Sequence, residues 1–591
     1  MNVSKQDLSS ILSEIATYMR LAGFNDFKAI AFDRAARTFD SFEGDLNQAI
    51  ADKTLTDIKG IGKSIANDIY AYAETGEVPV LVDLKAKVPE GLIKWTNIPG
   101  LGPKKIYKIY KELGITTIEE LKEKCLDGTI AGLSGMGKKS ADKILKSIEW
   151  MEQFSERCLI SEADDIAQDI FNSLKDLPGV EKIEIAGSLR RRKETIGDID
   201  ILIGAAEEYA PALIEAFASH GRVTEILGKG DTKSSVRTTE GRQVDLRVIE
   251  PTKFAAALMY FTGSKEHNVV VRQRARQRNM SLNEYGLFKL DDEGNTNWDA
   301  PMPFESEADL YRLLDLNWVP PELREDYGEI SFFEENETAD LLETSDIKGI
   351  LHAHSTYSDG KFSIEEMARA CIERGYSYLG MTDHSKTAAY AGGLSIDEVK
   401  QQWEEIDEVN ARLAGEGHEF LVLKGIESDI LPNGDLDYPE DILQGFDFII
   451  ASVHSSLEMP LEKMMERFTR AIENPYAHII GHPTGRLLLR RDGSKLDMST
   501  LVELAAKNNT AIEINANPWR LDLDWRHGNK AREVGLMSAI CPDAHTVKGI
   551  DYVPYGVDMA RKARFSKQMI LNAMPVDELM AWFKNREGAT S

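Results

Sequence analysis

Residues Gly187 to Asp200 read GSLRRRKETIGDID, and a second run from Gln243 to Val248 reads QVDLRV. Asp198 and Asp200 alternate with Ile199 and Ile201, so on a strand both carboxylates leave by one face. Asp245 sits in a similar alternation with Val244, Leu246 and Val248, on a strand expected to pair beside the first. Three carboxylates converging on one sheet face are costly unless divalent cations neutralise them. The pattern therefore predicts a metal site on a mixed α/β sheet. Upstream, Gly187 and Ser188 end an apolar strand (Ile183, Ile185, Ala186) and precede Arg190, Arg191 and Arg192. A Gly-Ser turn lets backbone N–H groups approach phosphate oxygens, and arginine adds charge-assisted contacts. Phosphates and two metals are thus expected together. A polar strand edge beside a solvated basic loop is the plainer alternative, but the order of Gly-Ser, arginines, Asp pair and later Asp favours the functional reading.

Around this stretch, 591 residues with 42% hydrophobic content allow about three to five domains. No run of about 18 apolar residues and no signal pattern is present, so a cytoplasmic protein is expected. Cys125, Cys158, Cys371 and Cys541 form no CxxC pair and are expected as buried thiols. A net charge of −28 works against diffuse attraction to nucleic acid, so any DNA contact has to be local.

Leu8, Ile11, Leu12, Ile15 and Met19 form one helical stripe, expected as core. Three short signals follow: Ile58 to Ser64 (IKGIGKS), Ile98 to Lys104 (IPGLGPK) and Leu133 to Lys139 (LSGMGKK). A Gly-x-Gly turn between short helices exposes N–H groups at a helix N-terminus, where a phosphate binds with help from lysine. This is helix-hairpin-helix logic. A single copy is often only a turn, but three copies point to sequence-independent binding of a nucleic-acid backbone. The residues concerned are Gly60, Gly62, Lys63, Gly100, Gly102, Lys104, Gly135, Gly137 and Lys138, with Lys105 and Lys139 beside them. After the two aspartate runs come YFTGS (Tyr260 to Ser264), VVVRQRARQR (Val269 to Arg278) and LNEY (Leu282 to Tyr285). If the arginine run is helical, Arg272 and Arg276 share one face and Arg274 and Arg278 another. From Tyr327 to Ile347 the chain turns acidic and aperiodic, as a linker would.

Beyond it the rhythm changes. Strand-like runs GILHAH, YLGMTDH, FLVLKGIE, FDFIIASVH, HIIGH, AIEIN and LMSAICPDAH alternate with amphipathic helical segments. About seven βα units indicate a barrel related to the (β/α)₈ form. His352, His354, Asp359, His384, Glu427, His454, His482, Asp543 and His545 fall at or just after the C-terminal ends of those runs, where barrels place their chemistry. Any one of these histidines alone would be read as core. Nine such residues at equivalent strand ends predict two or three transition-metal ions, which activate water and polarise phosphoryl oxygens.

These motifs resemble two known families. Residues 1 to about 320, with GSLRRRKETIGDID, VDLRV, YFTGS and LNEY in order, resemble DNA polymerase family X, the family of polymerase beta. Residues from about 349 to 570, with HAHSTYSDG, TDH, GIE, SVHS, GHP and DAH, resemble a PHP domain. The resemblance implies a multidomain α/β protein. Residues 1–80 would form an N-terminal helical domain with the first hairpin and 81–153 a fingers-like domain with the other two. Then follow a nucleotidyltransferase palm (154–260), a thumb (261–328), an acidic linker (329–348) and a (β/α)₇-like PHP barrel (349–591). It further implies a cytoplasmic, nucleoid-associated monomer acting on gapped or primed DNA with dNTPs. Asp198, Asp200 and Asp245 would hold two Mg²⁺ ions, with Asp245 helping to deprotonate the primer hydroxyl. Gly187, Ser188, Arg191 and Gly197 would contact the triphosphate. Tyr260, Phe261 and Gly263 would line the nucleotide pocket, with Asn268 and Arg272 near the base pair and template. The barrel ligands would hold Mn²⁺ or Zn²⁺ for a 3′-to-5′ exonuclease or related 3′-end phosphoesterase.

Two positions depart from the family pattern. Asp68 stands where lyase-active members carry a Schiff-base lysine, and an aspartate cannot form that imine. Ser64 also replaces a phosphate-binding lysine, with Lys28 and Lys63 as partial substitutes. Gln243 stands where polymerase beta has an arginine beside the third aspartate. Two other readings remain: nucleotidyl transfer to another acceptor, and a DNA-end scaffold with inactive sites.

Overall fold

The computed structural model describes residues 3 to 588, apart from 4, 25, 41–45, 59, 77, 97, 99, 100, 155, 156 and 337–339. The chain divides into two compact units, Met1–Ser155 and Glu156–Ser591.

The first unit is helical, built on two apolar clusters. Leu8, Leu12, Ile15 and Met19 of the Lys5–Leu21 helix are buried in the first cluster with Phe32, Phe39, Ile65 and Ile69, and Ile11 packs at its edge. Trp95, Ile106, Ile109, Leu121 and Ile144 form the second. Three helices start directly after the glycine signals: Lys63–Thr75, Pro103–Leu113 and Lys138–Phe154.

The second unit begins with a five-stranded sheet. Its spatial order is Lys182–Ile185, Asp198–Gly204, Gln243–Ile249, Lys233–Thr238 and Val223–Lys229. Asp198–Gly204 runs parallel to Gln243–Ile249, with Asp200 opposite Asp245 and Asp198 opposite Gln243. Alternation decides the faces. Ile199, Ile201, Ile203, Val244, Leu246 and Val248 pack under helices Ile160–Leu174 and Ala210–Ala218, which leaves the aspartates on the other side. The Lys265–Gln277 helix and a three-stranded antiparallel sheet, from Met280–Asn283 to Thr296–Pro301, follow with their own core.

Segment 329–348, expected to be aperiodic, instead carries a helix, Glu329–Glu335. Glu329, Phe333 and Leu342 are buried there. Its acidic composition masked the apolar anchors, and the Glu329 carboxylate is used internally, 2.6 Å from His267 Nδ1.

Seven parallel strands then follow in chain order: Gly349–Ala353, Tyr378–Met381, Leu421–Asp429, Phe448–Ser452, Ile479–Ile480, Ala511–Asn515 and Ser538–Cys541. A bridge between Ala353 and Ala544 brings the last strand's exit back to the first. Such strands are covered on both faces, which is why they read as continuous apolar runs. The Val576–Gly588 helix closes the N-terminal end of the strands: Phe583 is fully buried and stacks on Phe448, centroids 5.1 Å apart. The opposite end is left for chemistry. All four cysteines are buried and unpaired.

Phe583→Ala is expected to destabilise the second unit by about 3 kcal/mol, the usual cost of deleting a buried aromatic ring. Urea denaturation followed by tryptophan fluorescence measures this, and an unchanged midpoint would show that the plug carries no load.

Candidate active sites

At the sheet, one turn and two strands assemble the first centre. Gly187 opens the Gly187–Arg190 turn with φ +62°, and a Cβ there would fall 2.2 Å from Asp200 Oδ2. Only glycine lets the turn sit against that carboxylate. Asp198 is exposed, Asp200 half-buried and Asp245 8% exposed. Burial, reinforced by Asp198 and Asp245 and opposed by Arg247 and Lys233, pushes Asp200 up to about 7. Gln243 has a defined role here: its Nε2 donates to Asp245 Oδ1 at 3.1 Å, while Lys233 Nζ lies 3.6 Å from the other oxygen. A neutral amide thus orients the third aspartate. Beside the strands is a cavity of about 310 Å³ lined by Lys233, Arg247, Phe261, Glu284 and Tyr285 among others.

The arginines after the turn all have carboxylate partners. Arg190 makes a bidentate pair with Glu307, at 3.0 and 2.8 Å. Arg191 donates to Glu325 at 3.1 Å and to the Thr262 carbonyl. Arg192 pairs with Asp164 at 2.7 Å and Asp558 at 2.6 Å. The sequence displayed their charge but not the distant carboxylates that take it up. Lys562, fully buried, adds hydrogen bonds to the carbonyls of Arg191 at 2.9 Å and Glu322 at 2.7 Å.

The remaining residues singled out for nucleotide contact lie nearby. Ser188 follows Gly187 in the turn, and Gly197 immediately precedes the Asp198 strand. Gly263 sits against the Arg191 guanidinium. Tyr260 and Phe261 pack edge to face, Arg247 lies over Phe261, and Asn268 Nδ2 donates to the Tyr260 carbonyl at 2.8 Å. In the arginine helix Arg274 donates to the carbonyls of Leu314 and Asp315, and Arg278 pairs with Asp315. Arg272 and Arg276, on the other face, are exposed.

In the first unit, Gly62 and Gly102 cap the Lys63–Thr75 and Pro103–Leu113 helices without a side-chain cap. Gly60 and Gly135 adopt positive φ, and Gly137 directly precedes Lys138. A Cβ at Gly62, Gly102, Gly135 or Gly137 would meet open space, so these glycines border solvent rather than packed neighbours. Lys63, Lys104, Lys105, Lys138 and Lys139 are exposed. Gly100, with Lys59 and Pro99 of the same signals, lies outside the described residues. Asp68, at the lyase position, is half-buried on the Lys63–Thr75 helix, and burial raises its pKa.

At the open end of the barrel all nine residues come together. Glu427 is the hub: His384 Nδ1 and His482 Nε2 lie 2.9 Å from its oxygens, His454 Nε2 3.2 Å and His352 Nε2 3.6 Å. Asp543 lies 3.2 Å from His354 and 3.7 Å from His352. Asp359 lies 3.2 Å from His545 and 3.6 Å from His384. Three groups have ligand atoms within 4.8 Å of one another: His354, Asp359, His384 and His545; His352, His354 and Asp543; and His384, Glu427 and His454. The donor set fits transition-metal ions. Among the described residues, His352 Nε2, His354 Nδ1 and His482 Nδ1 are buried without a hydrogen-bond partner, as nitrogens kept for a cation would be. Burial opposes charging of His454 and His545, but their carboxylates outweigh it and hold the imidazoles at about 10 and about 9. Burial, with His545 and His384, lowers His354 to about 3.

A second layer escaped the sequence reading. His352 Nδ1 lies 2.6 Å from Glu513 and His454 Nδ1 2.6 Å from Asp429, and Asp383 collects the hydroxyls of Ser355 and Ser358 and the amide of Gln402. Such partners fix ring orientation. The usable signal was a carboxylate inside an apolar strand, as in AIEIN.

The fold and its two acid-rich centres define a nucleotidyltransferase joined to a metal-binding PHP-type barrel. Family models match as the DNA polymerase beta thumb over residues 257–325, the PHP domain over 351–517, a helix-hairpin-helix domain over 3–78 and a SAM-like helix-hairpin-helix tandem over 93–149. The chain is 40% identical over 585 residues to the DNA polymerase/3′-5′ exonuclease PolX of Bacillus subtilis, covering 99% of this chain and 100% of that one. It is 25% identical to DNA polymerase lambda of Rattus norvegicus over 51% of this chain and 52% of that one. A probable phosphatase of Thermoanaerobacter sp. is 27% identical over 40% of this chain and 94% of its own length. The chain belongs to family X of the DNA polymerases, in the group that carries a PHP domain.

Two measurements probe these centres. A proton competes with a cation at Asp200, so Mg²⁺ affinity at the aspartates is expected to fall about tenfold per pH unit below 7. The Mg²⁺ concentration for half-maximal activity reads this, and a flat dependence would contradict the raised Asp200. Glu513→Gln is expected to weaken Mn²⁺ binding at the barrel by about 10- to 100-fold, read by electron paramagnetic resonance titration. Unchanged affinity would reduce Glu513 to packing.

Proposed function

We propose that this protein is a DNA-directed DNA polymerase that fills short gaps during repair and trims 3′ ends with its barrel. What carries the reading is the presence of two metal constellations on one chain, three aspartates on a sheet and nine ligands at a barrel mouth. At the sheet, Asp198, Asp200 and Asp245 hold two Mg²⁺ ions, an all-oxygen set suited to a hard cation. Asp245, oriented by Gln243, takes part in deprotonating the primer hydroxyl. Gly187, Ser188 and Gly197 offer the triphosphate a close backbone approach, and Arg191 reaches it by exchanging its Glu325 and Thr262 contacts. Tyr260, Phe261 and Gly263 bound the sugar and base, while Asn268 and Arg272 face base pair and template.

In the barrel, the histidine-rich set favours two or three Mn²⁺ or Zn²⁺ ions over Mg²⁺. When bound, such ions supply an activated water and polarise the scissile phosphodiester. The protein's own part is to hold the imidazoles in one orientation through Glu513 and Asp429 and to keep Glu427 anionic at their centre. The glycine turns hold DNA by its backbone at Gly60, Gly62, Lys63, Gly100, Gly102, Lys104, Gly135, Gly137 and Lys138. The protein acts as a cytoplasmic, nucleoid-associated monomer on gapped or primed DNA with dNTPs. Asp68 supplies no imine-forming amine, so deoxyribose-phosphate lyase chemistry by the family route is not part of the reading.

On a gapped primer with Mg²⁺ and dNTPs, Asp198→Ala is expected to abolish extension while leaving Mn²⁺-dependent 3′ trimming intact, and His352→Ala to do the reverse. Loss of both activities in either variant would contradict two separate centres.

A further inference from the structure

Tyr390 is the most exposed aromatic side chain described in the barrel, at 73%, yet it stands at the metal cluster. Its ring centroid lies 6.2 Å from that of His384 and 6.4 Å from that of His454. It sits on the short Ala389–Ala391 turn between the Tyr378–Met381 strand and the Ile396–Gly415 helix. That turn is anchored. Thr387 Oγ1 donates to Asp429 Oδ2 at 2.8 Å, and the other oxygen of Asp429 lies 2.6 Å from His454 Nδ1. Leu394 N donates to the His384 carbonyl at 2.9 Å. A Cβ on Gly393 would come within 1.9 Å of the Ser385 carbonyl oxygen, so the turn folds back tightly on the strand exit. The ring is therefore held at a fixed place relative to the ligands without being packed away.

Cations share this rim, on a chain whose net charge is −28. Arg520 Nε lies 3.4 Å from Asp543 Oδ2. Arg491 donates to the Gly485 carbonyl at 2.6 Å, and Gly485 N donates in turn to the carbonyl of His482 at 2.8 Å. Arg490 stacks on Trp519, 3.6 Å from the ring centroid. An open aromatic face beside guanidinium groups and a metal cluster matches what a nucleotide at a strand end presents: a flat base, and a phosphate one sugar away. Every base has a π-face, so such a platform reads no sequence.

We propose that Tyr390 stacks on the terminal base of a DNA 3′ end whose last phosphodiester lies at the barrel cluster, with Arg491 and Arg520 facing its phosphates. This rests on the exonuclease reading of the barrel and names the part of the substrate that the mouth recognises: the base of a single-stranded 3′-terminal nucleotide.

The test uses the full-length protein with Tyr390→Phe and Tyr390→Ala, and two single-stranded oligonucleotides with Mn²⁺, one ending in thymidine and one in an abasic tetrahydrofuran. On the thymidine end the alanine variant is expected to lose about 10- to 100-fold in kcat/KM, mostly through KM, given typical base-stacking energies. The phenylalanine variant should stay within about twofold, since the ring and not the hydroxyl makes the stack. On the abasic end all three proteins should trim alike. A separate readout needs no turnover. With chelator present, a 3′-terminal 2-aminopurine should be quenched by wild type and the phenylalanine variant and not by the alanine variant. Equal losses on both ends, or no loss on either, would overturn the assignment alone. Wild type that trims neither end would overturn the exonuclease reading and this assignment with it.

Discussion

Carboxylates gathered close together, partly buried at the sheet and largely buried in the barrel, are the constraint on which both halves of the second unit turn. At the sheet, Asp200 carries the cost as a pKa pushed up to about 7. In the barrel, Glu427 is fully enclosed yet held well below the usual carboxylate range, because the surrounding imidazoles outweigh the burial that opposes it. Neither arrangement is explained by folding alone, since isolated buried charge costs several kcal/mol. Each matches what a cation site requires, carboxylates whose charge a bound ion would neutralise. The donor atoms divide the work: oxygen alone at the sheet, nitrogen and oxygen in the barrel, which separates hard-cation chemistry from that of softer ions.

The two centres are mechanically joined through Arg190 to Glu194. In five residues this segment pairs with Glu307, Glu325, Asp164 and Asp558, and Glu194 accepts from Trp525 Nε1 at 3.1 Å and from Arg526 at 2.9 Å. Lys562 closes the joint from the barrel side, with burial lowering its pKa and the Trp525 ring 4.7 Å away. Such pairs contribute little net stability, but removing one partner strands a charge. The turn that begins at Gly187 is thereby fixed to the barrel's Val553–Lys562 helix.

Much of this was legible in the sequence because periodicity forces it. Alternating aspartates and isoleucines have one sheet solution, and nine histidines and carboxylates at successive strand ends have one barrel end to occupy. Long-range pairing was not legible. The three arginines read as a phosphate loop because their partners lie between 28 and 366 positions away, as from Arg192 to Asp164 and to Asp558. Glu513 and Asp429 carry no distinguishing mark in the sequence, because what defines them is the imidazole each one orients. Gln243, a substitution without an evident role in the sequence, proved to be the amide that holds Asp245. The acidic composition of 329–348 hid Phe333 and Leu342, whose burial makes that segment part of the packed unit.

The most direct measurement is anomalous diffraction at the manganese edge from crystals of the full-length protein soaked in Mn²⁺. The account predicts strong peaks in two places, at Asp198, Asp200 and Asp245 and within the barrel ligands around Glu427, with at least two ions at the latter. A peak at only one of the two places, or ions bound away from both, would contradict it.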